Sequence, residues 1–276
     1  MKSSNAPRLL AREEWIAACH FHDITEAEVL HAVADRVREL KAKAGSVQSG
    51  HPLVLLDLDS TLYEVGPRSF EIIREWMDTE ESLGHSRVRH ALESLREEQV
   101  GYSMKDTFES IGLKAGTPEV DHALKVLKEF WAARFFSNQY LPYDRPYPGA
   151  AEFARRLHEA GAEIVYLTGR DAPRMGEGTV DNLVRDGFPW DKKGTHLLLK
   201  SDFNIPDLDH KKNAADYIRQ HGTLVASFEN EPPNLIALSE LFPEAMHVFL
   251  DTVCSDHPAP VGKNLYRING FHKLAP

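Results

Sequence analysis

Apolar residues are grouped along this chain in two distinct ways. Near the N-terminus they recur at helical spacing. In "DITEAEVLHAVADRVRELKAKAG", Val29, Leu30, Val33, Val37 and Leu40 fall on one face. Thr25 and Glu28 have the spacing of a capping box, so a helix is predicted to start there. Gly45 and "SVQSG" read as a linker. Further on, the apolar residues come as short unbroken runs: "LVLL" at 53–56, "IVYL" at 164–167, "LLL" at 197–199, "LVASF" at 224–228 and "HVFL" at 247–250. Runs without alternation, separated by helical patterns, predict strands of a parallel sheet covered on both faces.

The intervening segments support that reading. In "PGAAEFARRLHEAG", Pro148 suits a helix start, Phe153, Ala154 and Leu157 an inward face, and Gly161 a C-terminal cap. A second helix is expected over about 178–186, with Val180, Leu183 and Val184 before Gly187. Between the first two strands the gap is far longer than an ordinary crossover. It holds "SFEIIREWM", "HSRVRHALESLREEQV" and "DHALKVLKEFWAARFF", three helical patterns. The expected organisation is a helical extension over 1–50, an α/β core over 51–65 and 144–276, and a helical insertion over 66–143. The fold class is α/β, a Rossmann-like parallel sheet sandwiched by helices with an inserted helical subdomain. The N-terminal helix reads either as a docking helix on the core or as a dimerisation arm giving a homodimer.

In open α/β sheets ligands bind beyond the carboxyl ends of the strands. The first run delivers Asp57-Leu58-Asp59-Ser60-Thr61 there, the second Thr168-Gly169-Arg170, and the third Lys200. The fourth delivers "FENEPPN", with Glu229, Asn230 and Asn234, and the fifth Asp251-Thr252. Residues i and i+2 of an extended chain share a face, so Asp57 and Asp59 address one point while Leu58 turns inward. Neighbouring carboxylates repel, and a hard cation with oxygen ligands, Mg²⁺, would relieve that cost. In "DHKKNAADYIRQHG", apolar residues follow Lys211 at +3, +4 and +7, namely Ala214, Ala215 and Ile218. Lys211 rather than Lys212 therefore belongs to the inward face.

Composition narrows the function classes. With 32 basic and 42 acidic residues the formal charge is -10, which argues against a general nucleic-acid-binding surface. Two cysteines, Cys19 and Cys254, form neither a disulfide framework nor a zinc cluster. No run approaches the roughly 20 apolar residues of a membrane span, and no signal-type segment opens the sequence. A cytoplasmic protein without a membrane partner is expected.

These motifs resemble the haloacid dehalogenase superfamily of phosphohydrolases. The resemblance rests on the DxDxT of Asp57–Thr61 after an apolar strand, on "YLTGR" at 166–170, on Lys211 ahead of a helix, and on an acidic strand end at Glu229. It covers about residues 50–255, with the insertion in the position of that superfamily's C1 cap and "GPRSF" at 66–70 resembling the hinge. The resemblance implies that Asp57 is the nucleophile that forms an aspartyl-phosphate. It implies that Asp59 is the general acid and base, and that Lys211 stabilises the phosphoryl charge. Thr61 would steady the turn. Thr168 and Gly169 would contact the phosphate, Arg170 would touch substrate or the cap or be solvated, and Lys200 would stand at the entrance. Asp57, Asp59, Glu229 and Asn230 would hold Mg²⁺.

The fourth strand end departs from the superfamily's DD or GDxxxD pattern, since Asn230 and Asn234 bring no charge. The expected function is a Mg²⁺-dependent phosphomonoesterase acting on a small phosphorylated metabolite. The alternatives are a phosphotransferase and a phosphate-binding or regulatory protein with a weakened metal site. A 2-haloacid dehalogenase is disfavoured, because that branch lacks the carboxylate represented by Asp59. Substrate choice is expected in the insertion, where 101–113 and Phe135, Phe136, Tyr140 and Tyr143 read as subdomain core or as pocket lining.

Overall fold

The computed structural model describes residues 8–44 and 50–271. Most of the predicted linker, Gly45 and 46–49, lies outside the described residues. Two compact units are formed. One comprises residues 8–44, 50–62, 146–171 and 183–271; the other comprises 63–145 and 172–182.

Among the described residues the first unit is built on a seven-stranded sheet. Its strands are β1 (His20–Phe21), β2 (His51–Leu56), β3 (Glu163–Asp171), β4 (Thr195–Lys200), β5 (Gly222–Glu229), β6 (Met246–Leu250) and β7 (Lys263–Ile268). Their order is β1-β7-β6-β5-β2-β3-β4, and every pairing is parallel. The five predicted runs are β2 to β6. From β2 the chain proceeds to β3 and β4 on one side, and β5 to β7 continue on the other. The order thus reverses between β2 and β5, which creates the crevice where α/β sheets bind ligands.

Helices α1 (Arg12–Ala18) and α2 (Glu26–Ala44) precede the core. The α2 start is a capping box: Thr25 N donates to Glu28 Oε2 at 2.7 Å, and Glu28 N donates to Thr25 Oγ1 at 3.3 Å. Val29, Leu30, Val33 and Val37 are buried, each contributing roughly 1.5–3 kcal/mol. The face they form is covered by the chain's own strands β2, β5 and β7.

The second unit holds α3 (Gly66–Met77), α4 (Glu80–Leu83), α5 (Ser86–Leu92), α6 (Met104–Ser110) and α7 (Pro118–Phe135). Ile73, Trp76, Val88, Leu92, Phe108 and Leu127 share its core. Arg68 and Asp144 form a fully buried pair, with Nε to Oδ1 at 2.7 Å, and Arg68 also donates to Phe135 O at 3.1 Å. Phe135 and Tyr140 are core residues of this unit, whereas Tyr143 is 44% exposed.

Returning to the first unit, α8 (Ala150–Glu159) ends with Gly161 at φ +100°, and Ala162 N bonds Leu157 O at 3.0 Å. The next helix, α9, spans Ala172–Arg185, and its residues 172–182 belong to the helical unit rather than to the α/β part assigned from sequence. Of its apolar residues, Leu183 is buried and Val184 is 61% exposed. Helices α10 (Asp207–His221) and α11 (Pro232–Leu241) complete the unit. Ala214, Ile218 and Leu238 pack with Leu53, Leu55, Val165, Leu167 and Leu224 on one sheet face. Among the described residues no helix is long and apolar enough to cross a membrane.

Candidate active site

The sheet register brings the strand ends level. Leu56 pairs with Tyr166 on one side and Phe228 on the other. The next residues out on β2 and β5 are Asp57 and Glu229, and Thr168 stands two residues beyond Tyr166 on β3. Asp57 keeps the strand direction, because its N–H bonds Phe228 O at 3.1 Å. Alternation puts it on the face of Leu53 and Leu55, which α10 covers. Lys211 opens the inward face of α10, with Ala214, Ala215 and Ile218 behind it. Sheet face and helix face therefore meet at Asp57 and Lys211.

Lys211 Nζ donates to Asp57 Oδ1 at 2.6 Å and also to Glu229 Oε2. All three residues are buried. Lys212 is exposed. Two buried carboxylates share one ammonium, so the cluster carries an excess negative charge. Burial pushes the Asp57 carboxyl up to about 7, and Glu229 beside it adds to the push against Lys211. Burial raises Glu229 as well. Burial opposes the Lys211 charge, but Asp57 and Glu229 outweigh it and raise the lysine above its ordinary range. The carboxylate that most perturbs Asp57 is thus Glu229, with Asp59 a minor contributor.

Asp59 is directed to Arg170, whose Nε donates to its Oδ1 at 3.0 Å. Arg170 is buried, whereas the Asp59 side chain is 30% exposed. A solvated guanidinium and a substrate contact were both open from sequence. The structure pairs Arg170 with Asp59. Leu58 is fully buried, as the alternation requires.

The turn after Asp59 contains Ser60 at φ +59°, a left-handed conformation that costs a non-glycine residue about 1–3 kcal/mol. Thr61 and Leu62 N–H groups close it onto Leu58 O at 3.1 and 2.8 Å. The Thr61 hydroxyl reaches out of the turn and donates to Asn230 Oδ1 at 3.1 Å. Asn230 Nδ2 donates in turn to Val253 O at 2.7 Å. Asn230, expected among the metal ligands, acts here as a bracket between two loops. Asn234 is buried at the start of α11.

Thr168 is buried, and its Oγ1 accepts the Arg170 N–H at 3.3 Å, a bond that does not use the hydroxyl proton. Gly169 sits hard against Asp207: a Cβ there would lie 2.4 Å from Asp207 Oδ2. Lys200 donates to Asp207 Oδ1 at 2.9 Å and to Phe203 O at 3.0 Å. The structure therefore gives Lys200 and Gly169 a shared neighbour, Asp207, at the head of α10.

Sequence reasoning gave two participants no role. Glu231 accepts from Ser255 N at 2.8 Å and from Ser255 Oγ. Thr252 donates its hydroxyl to Ser60 O. Glu231 lies between β5 and α11, whereas its partner Ser255 and Thr252 belong to the loop after β6, where only Asp251-Thr252 marked a strand end.

Asp57 and Glu229 offer buried, hard oxygen donors with unneutralised charge, which fits a divalent cation such as Mg²⁺. Among the described residues no group of three or more His, Cys, Asp or Glu side chains converges. Any such ion would complete its shell with backbone oxygen and water, as Mg²⁺ commonly does.

Among curated proteins, no sequence match was found. Solved structures share the fold. A candidate phosphatase from Clostridium difficile aligns at 15% identity and TM-score 0.50, over 79% of this chain and 94% of its own. A candidate haloacid dehalogenase-like hydrolase from Burkholderia xenovorans LB400 aligns at 16% and 0.46, over 81% and 94%. An archaeal β-phosphoglucomutase from Pyrococcus sp. strain ST 04 aligns at 12% and 0.42, over 81% and 95%. The model of the haloacid dehalogenase-like hydrolases matches residues 51–195, more than half of the chain. The chain belongs to the haloacid dehalogenase-like hydrolase family.

Proposed function

We propose that the protein is a Mg²⁺-dependent phosphomonoesterase working through an aspartyl-phosphate on a small phosphorylated metabolite. The observation that carries this reading is the buried Asp57–Lys211–Glu229 cluster at the crevice between β2 and β5. In the first step an Asp57 carboxylate oxygen attacks phosphorus while the ester P–O bond breaks, and Asp59 gives a proton to the departing oxygen. In the second step Asp59 takes a proton from water, which attacks the same phosphorus and releases Asp57 and inorganic phosphate. Arg170 holds Asp59 in place for both transfers. Lys211 keeps positive charge beside the reacting oxygens. Asp57 and Glu229 would hold Mg²⁺, which when bound supplies further charge neutralisation. The reading includes a cytoplasmic location, consistent with two buried, unbridged cysteines.

A phosphate-binding regulatory protein is the second reading. It is favoured by one feature: Lys211 already bonds both carboxylates, so the cluster has a cation of its own. Hydrolysis of an aryl phosphate, with Mg²⁺ and with EDTA, beside Asp57→Asn, separates the two. Turnover that needs Mg²⁺ and is lost in the variant supports the enzyme. Phosphate binding without turnover on any phosphomonoester supports the second reading.

A further inference from the structure

The family model begins at residue 51, so the arm formed by residues 8–22 lies outside it. Yet the arm is firmly docked. Leu9–Leu10 pair antiparallel with Ala259–Pro260, and β1 extends the sheet beside β7. Trp15 is fully buried, donates Nε1–H to Pro260 O at 2.9 Å, and packs edge-on against Phe249 of β6 at 5.0 Å between centroids.

One residue of the arm reaches further. Arg12, the first residue of α1, donates to the Asp251 carboxylate and lies 3.5 Å from Thr252 O. These residues open the loop that follows β6. That loop makes three contacts with the reacting strand ends. Thr252 donates to Ser60 O, in the left-handed turn between Asp59 and Thr61. Val253 O accepts from Asn230, which in turn accepts from Thr61. Ser255 holds Glu231, two residues after Glu229.

We infer that Arg12 is a positioning residue for the active site, acting through Asp251 and Thr252 to hold the Ser60 turn and hence the direction of Asp59. A second cation, Arg267 of β7, holds the other oxygen of Asp251 with Nε at 2.8 Å. Asp251 is thus fixed from both sides, and removing Arg12 releases the arm side alone. The inference rests on Asp57 and Asp59 being the reacting groups.

The test is hydrogen–deuterium exchange on the full chain with Mg²⁺, for wild type, Arg12→Gln, Arg12→Lys, Thr252→Val and Glu14→Ala. Glu14 lies on the same helix in an exposed pair with Arg8 and serves as the control. Exchange at 57–62 should rise about tenfold in Arg12→Gln and Thr252→Val, with 51–56 unchanged. Arg12→Lys should restore most of the protection, and Glu14→Ala should match wild type. For hydrolysis, kcat should fall about tenfold with KM unchanged, since a displaced group costs the chemical step rather than binding. Unchanged exchange at 57–62, or an equal rise across 51–56, overturns the inference, as does faster exchange with unaltered kcat. If wild type hydrolyses no phosphomonoester but the exchange pattern appears, the proposed function fails while the coupling of arm to turn stands.

Discussion

Lys211 Nζ lies 2.6 Å from Asp57 Oδ1, joining the inward start of α10 to the end of β2 across 154 positions of sequence. The same ammonium bonds Glu229, so removing it leaves two buried carboxylates without a counter-charge. Lys211→Met should cost about 3–5 kcal/mol at pH 8. The cost should shrink toward pH 5 as the carboxylates take up protons. Lys212→Met, at an exposed position, should be neutral. Denaturant unfolding at the two pH values checks both; equal losses in the two variants would refute the assignment.

The raised Asp57 pKa gives the metal-free protein a pH dependence of definite sign. Between its unfolded value of 3.8 and its folded value of about 7, the folded state binds more protons than the unfolded one. Stability should therefore fall as pH rises through that window. Mg²⁺ held by Asp57 and Glu229 competes with the protons. Its stabilisation should be larger at pH 8 than at pH 6, and Glu229→Gln should weaken it. Thermal melts in EDTA and in Mg²⁺ provide the readout, and a metal-free protein that melts higher at pH 8 than at pH 5 would contradict the sign.

Gly169 and Asp207 should be coupled. In Gly169→Ala the new methyl meets the Asp207 carboxylate, which must swing away and abandon Lys200. The single change should cost about 1–3 kcal/mol, from overpacking and the lost partner. Asp207→Ala removes the obstacle, so the double variant should be more stable than the sum of the singles predicts, by about 0.5–3 kcal/mol. Strict additivity in the unfolding cycle would count against the contact.

General acid catalysis by Asp59 should depend on the leaving group. Asp59→Asn should slow hydrolysis of an alkyl phosphate by about 10²–10⁴. An aryl phosphate, whose leaving oxygen needs less protonation, should suffer less. Arg170→Gln should show the same ordering in milder form, because it leaves the carboxylate present but unheld. Equal losses on both substrates would remove Asp59 from the proton-transfer role.

Much of this was legible from side-chain pattern. The unbroken runs at 53–56, 164–167, 197–199, 224–228 and 247–250 announced β2 to β6; four of these lie inside the sheet, where a strand buried on both faces cannot alternate, and β4 is the half-buried edge. Ala214, Ala215 and Ile218 marked Lys211 as inward for the same kind of reason. Strand β7 escaped notice because only Leu265 and Ile268 of "KNLYRI" are buried, too few for a run. The Asp59–Arg170 pair was hidden, since a charged residue at a strand end reads equally well as solvated. The links from Arg12 to Asp251 and from Thr252 to Ser60 run between polar residues far apart in sequence, and no periodicity records them.

The central claim is that Asp57 is the nucleophile. It is tested most directly by acid-quenching the protein during turnover of a phosphomonoester with Mg²⁺ and mapping phosphorylated peptides by mass spectrometry. The account predicts one phosphoryl group on the peptide containing Asp57, labile to base and absent in Asp57→Asn. Sustained turnover by Asp57→Asn, or a phosphoryl group carried by another residue in wild type, would contradict it.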